Sequence, residues 1–125
     1  MTETSEKFAK GLELFSAVYG QQVALPANAT AHPFQQLMME NLFCDIWGRS
    51  AMSIRDRRLI LIGVIAAIAD SPMLIEIQLR AALEKGELER EQLREIPIIL
   101  TQYIGYPRTV PVMQTVEKIL TDTAA

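Results

Sequence analysis

Cysteine is almost missing from this chain: Cys44 stands alone among 125 residues. A single cysteine builds no internal disulfide framework and fits a reducing compartment, so a cytoplasmic protein is expected. Histidine is as scarce, with His32 the only one. One His and one Cys, without closely spaced carboxylates, make no metal-ligand set, and no metal is expected. Positive charge is not in excess either: 12 Lys and Arg face 15 Asp and Glu, a net charge of -3. That argues against a nucleic-acid partner, and no helix is rich in Arg, Lys, Asn and Gln as a recognition helix would be. Long apolar runs are absent. The longest, Leu59 to Ala69, falls well short of the ~20 residues that span a bilayer, so no membrane partner is expected. The first residues, MTETSEKFAKG, are polar and of mixed charge, unlike a secretory signal. No segment shows the strict alternation or Asn-Gly punctuation of a β-hairpin.

What is present is apolar mass. Half the residues are hydrophobic and six are Met. That is enough for one domain over residues 1–125 with a real core, and the excess points to a surface that a second copy covers. The periodicity predicts an all-α bundle of about six helices. Ser5 to Tyr19 repeats Phe8, Leu12, Phe15 and Tyr19 on one face and stops at Gly20. Gln21 to Ala31 lacks a period and reads as a loop. His32-Pro33 opens a second helix through Gly48, with Phe34, Leu37, Met38, Leu42, Phe43, Ile46 and Trp47 as its apolar side. Ser53 caps a third helix, with Asp56 at the third helical position, and the apolar run follows. Pro72 to Lys85 is a central helix between Ser71-Pro72 and Gly86, on which Glu76, Arg80 and Glu84 can pair at i,i+4. A fifth helix runs from about Glu89 to Tyr103, kinked or broken at Pro97. A sixth runs from about Thr109 to Thr121.

The central helix carries Gln78-Leu79-Arg80-Ala81-Ala82-Leu83, then Gly86. This resembles the His-Leu-Arg-Ala-Ala segment of the carboxymuconolactone decarboxylase family, with Gln78 in place of His. Further matches follow in order. Asp45-Ile46-Trp47-Gly48-Arg49 resembles the family's acidic/aromatic segment. Arg55-Asp56-Arg57-Arg58-Leu59 resembles the Arg-rich opening of its apolar helix. Glu95-Ile96 resembles its Glu-Val, and Tyr103-x-Gly105-x-Pro107 its Tyr-x-Gly-x-Pro turn. The departures are Gln78, Ile99 where many members have His or Gln, Ser50-Ala51 in place of Pro-Gly, and Pro97. The family's peroxidase branch uses two cysteines and a histidine at positions held here by Ser71, Leu74 and Gln78, so peroxidase chemistry is not expected.

The resemblance implies the alkylhydroperoxidase-like helical fold, a trimer or hexamer, and a cofactor-free lyase or isomerase acting on a small carboxylated lactone or ring. Such an enzyme holds carboxylates, stabilises an oxyanion and returns a proton to carbon. On that basis Gln78, Glu95 and Arg57 are the catalytic candidates. Arg49, Arg80, Trp47 and Tyr103 are the substrate-binding ones. Arg58 and Arg55 read instead as surface or interface ion pairs, and the residues themselves favour packing for Tyr103 and a core or interface place for Trp47. Gln cannot ionise, so it can orient a carbonyl or a water but cannot supply the proton. Glu95 is the remaining acid at a matched position if its apolar helix desolvates it; the commoner role for such a residue is an exposed acid near a helix N-terminus. The alternative is a non-catalytic relative that binds a small acid or a protein partner. A polar pocket shared by Gln78, Arg57 and Glu95 favours the enzyme. Separate structural partners for each favour the binder.

Overall fold

A computed structural model describes residues 3–25 and 32–124, and among these every regular element is helical. The later part of the expected loop after Gly20, residues 26–31, lies outside the described residues. The chain divides into two compact units, Met1–Arg57 and Arg58–Ala125. No helix is long and apolar enough to cross a membrane, among the residues described.

The first unit pairs two helices. α1 spans Glu3–Tyr19. α2 starts as an α-helical turn, Pro33–Leu37, behind His32, and continues as a π-helix, Met38–Trp47. Its winding shows at the end, where the Gly48 N–H donates to the Phe43 carbonyl five residues back at 3.1 Å. Met39, Phe43 and Trp47, four residues apart, form its buried face. The expected apolar side is corrected accordingly. Phe34 and Leu37 are 76% and 65% exposed, and Leu42 and Ile46 also face outward. Phe43 sits edge-on to Phe15, with centroids 5.2 Å apart, and Phe15 lies against Tyr19. Gly11 is the closest approach: a Cβ there would collide with the Met39 carbonyl. Lys7 Nζ donates to Asp45 Oδ2 at 2.7 Å across the same pair.

α3, Ile54–Ile68, begins in the first unit and runs into the second. Its expected cap is present, with the Asp56 N–H donating to Ser53 Oγ at 3.0 Å. α4 is Pro72–Glu84 and ends, as its Lys85-Gly86 stop predicts, on Gly86 at φ +70°. Ser71 precedes Pro72 as expected but makes no side-chain cap bond. α5, Arg90–Ile104, continues as one helix through buried Pro97, so of the expected kink or break, the break does not occur. It is capped without Ser or Thr: the Glu89 N–H donates to Gln92 Oε1 at 2.8 Å. α6, Tyr106–Asp122, starts three residues early, on Pro107 after Gly105. The core of this unit comes from one face of each helix: Ile62 and Ile65, Ile75 and Leu79, Leu93 and Ile96, Val116 and Ile119.

Candidate functional site

Gln78 lies in this core, 3% exposed. α4 turns it inward with Ile75, Ala81 and Ala82, because residues at i-3, i+3 and i+4 share its side of the helix. Its partner is Arg58, the first core-facing residue of α3 in this unit, itself 1% exposed. Arg58 Nη1 donates to Gln78 Oε1 at 2.8 Å. The rest of the guanidinium fork takes Glu87 side-on, with Nε to Oε1 at 2.6 Å and Nη2 to Oε2 at 3.1 Å. Glu87 follows Gly86 in the α4–α5 turn and is 14% exposed at its side chain. Two-point guanidinium–carboxylate contacts are among the strongest hydrogen-bonded pairs. The expectation for Arg58 is therefore corrected: its ion pair is inside the fold, not at the surface or between subunits. Gln78 bonds a side chain here, and its carbonyl is already an acceptor for a cation.

Arg80 is likewise committed. Its Nε donates to Glu76 Oε2 at 2.9 Å, the expected i,i+4 pair, and its Nη2 to Asp122 Oδ2 on α6 at 2.6 Å. Lys118 adds a contact to Glu76 at 3.2 Å. The Arg80 hydrogen bond holds the Glu76 carboxyl below its ordinary value, against partial burial, with Lys118 assisting. For Arg80 burial works downward, but Asp122 and Glu76 outweigh it and raise the guanidinium further.

The other acid and the tyrosine face outward. Glu95 is exposed on α5, the place of an ordinary surface acid. Tyr103 is 84% exposed, neither packed in the core nor enclosed beside a substrate. Gln78 and Glu95 are not brought together, since one is inside the helix layer and the other on its outer surface. In the first unit, Arg57 Nη2 donates to the Arg49 carbonyl at 3.1 Å, and Arg57 Nε is buried without a partner. Arg49 is exposed, and Trp47 is buried at 8% exposure as a packing residue.

Two hollows open in the second unit. The larger, about 530 Å³, lies between α5 and α6, with Ile98, Tyr106, Val110 and Met113 among its walls. The smaller, about 120 Å³, is lined by Asp70, Ser71 and Arg108 among others. None of the seven residues predicted from the sequence lines either one. No group of three or more His, Cys, Asp or Glu is placed to hold a metal, among the described residues.

Sequence reasoning missed Arg58 and Glu87. A signal for Arg58 exists: at i, i+4 and i+7 it shares the α3 face of Ile62 and Ile65, the one charge on a core stripe. Glu87 has no such local signal, because its partner is 29 residues away. No family model matches the chain, and no curated protein matches it.

Proposed function

We propose that this protein is a non-catalytic relative of the carboxymuconolactone decarboxylases, a cytoplasmic, cofactor-free helical protein that acts by binding a small molecule or a protein. The observation that carries this reading is the engagement of Gln78 with Arg58. A lyase needs a group that returns a proton and guanidiniums open to substrate carboxylates. At the matched position stands an amide that cannot ionise, buried and bonded to a cation which is itself neutralised by Glu87. Arg80 is spent on Glu76 and Asp122, and Glu95 is in open solvent.

The test is CO2 release from γ-carboxymuconolactone by the purified protein and by Gln78→His. Neither should turn over. The second should fail because the Arg58 guanidinium disfavours the imidazolium a general acid requires. Release above the heat-inactivated control by either protein overturns the reading.

A homo-oligomer, trimer or hexamer, belongs to the same proposal. It is supported by Ile60, Val64 and Ile68, 58%, 46% and 77% exposed at i, i+4 and i+8 along α3. Such an apolar stripe is the kind of surface a second copy covers. Light scattering after size exclusion should give three or six times the chain mass. A monodisperse monomer contradicts it.

A further inference from the structure

We propose that the groove between α5 and α6 is a ligand site for a neutral, largely apolar small molecule carrying one hydroxyl or carbonyl group. This rests on the binding reading above and specifies where and what the protein binds. The groove's volume of about 530 Å³ lies within the roughly 300–1,000 Å³ of small-molecule sites. Its walls leave large apolar side chains open: Ile98 is 59% exposed, Tyr106 70% and Met113 43%.

The groove is closed along both helices. At one end Arg94 on α5 grips Glu117 on α6 through Nε at 3.0 Å and Nη2 at 2.8 Å, bridging the two walls. At the other, the chain turns at Gly105 between Gln102 and Tyr106. The α5 wall from Arg94 to Gln102 is about 12 Å long at 1.5 Å per residue. A partner helix laid along the groove would meet the ion pair or the turn within about two turns, whereas a small molecule fits between them.

Charge sets the ligand class. The two charged lining residues pair with each other, and each shifts the other, Arg94 holding the Glu117 carboxyl below its ordinary value and Glu117 raising Arg94. The groove therefore offers an ionic ligand no uncompensated charge, and a neutral ligand needs none.

One polar group on the wall is unsatisfied. Thr109 and Thr115 each send their hydroxyl back to the carbonyl four residues earlier, at 2.7 and 2.9 Å. Thr101, also helical, does not, and its buried Oγ1 has no hydrogen-bond partner. Thr101 lines the groove, so its hydroxyl is the donor we assign to the ligand's oxygen.

The test uses protein labelled at methionine methyl carbons and titrated with 2-naphthol, naphthalene and 2-naphthoate. 2-Naphthol should shift the Met113 methyl signal and bind more tightly than the other two. Thr101→Val should weaken 2-naphthol by roughly 2- to 10-fold, the worth of one hydrogen bond, and leave naphthalene unchanged. Met113→Asp, at a half-exposed position that tolerates a polar residue, should abolish the binding of all three while keeping native circular dichroism. The proposal is overturned if 2-naphthol leaves Met113 unmoved or if Thr101→Val treats the two neutral probes alike. A Met113 signal that moves with protein concentration alone also overturns it, since a second copy then fills the groove. CO2 release would sink the non-catalytic reading without touching these titrations, so the two failures are distinguishable.

Discussion

Replacing Glu87 with Ala should cost the second unit about 3–5 kcal/mol, because it strips a buried guanidinium of its counter-charge. The magnitude follows from the contacts. Arg58 is 1% exposed, so water cannot replace the lost partner. Two hydrogen bonds to a carboxylate disappear, from Nε and Nη2, each worth about 1.5–3 kcal/mol when a charged group is involved. Gln78 still accepts from Nη1 but carries no charge. In urea, with a slope of about 1–3 kcal/mol per molar for a small protein, the midpoint should fall by at least about 1 M. Far-UV circular dichroism reads the helices of both units. Fluorescence of Trp47, the only tryptophan, reads the first unit alone, so a loss confined to the second is visible as a split between the two signals. The paired change Arg58→Met with Glu87→Leu should recover part of the loss, since no charge remains in the core, while the buried Gln78 carbonyl loses its donor. A cost below about 1 kcal/mol for Glu87→Ala, the value of an exposed pair, would refute the reasoning.

Gly11→Ala should destabilise the first unit by about 1–3 kcal/mol or more, because the new methyl meets the Met39 backbone, which cannot swing aside as a side chain can. The Trp47 fluorescence transition checks this. Glu76→Gln should lose about 0.5–1 kcal/mol at neutral pH, and the gap to the unaltered protein should close in acid. The sign follows from the depressed folded value of Glu76: its contribution is complete above the ordinary 4.5 and is lost as pH falls through the lower folded value. Thermal melts of both proteins from pH 7 downward measure the gap.

Much of the fold is legible in the residues, for local reasons. Ser71-Pro72 and Lys85-Gly86 bracket α4 because proline suits a first helical turn and glycine a left-handed stop. Glu76 and Arg80 pair because the helix itself brings i and i+4 together. The π-winding of Met38–Trp47 has no such local mark. Met39, Phe43 and Trp47 are buried along it, while Leu42 and Ile46 face outward. The candidate site was less legible than the fold. The helical period placed Gln78 on the inner face of α4, yet its partner comes from another helix 20 residues earlier. Tyr103 lies past the last buried position of α5, and Glu95 sits on its exposed side between buried Leu93 and Ile96, so matched motif positions did not translate into an enclosed site.

The most direct test of the central claim follows the Arg58 Nε–H and the Gln78 side-chain amide by nitrogen-15 NMR while γ-carboxymuconolactone is added. If Gln78 belongs to the core, the Arg58 Nε–H is protected from solvent exchange and neither signal moves across the titration. If Gln78 serves a substrate, both signals shift in a saturable way as the lactone displaces Glu87 from Arg58.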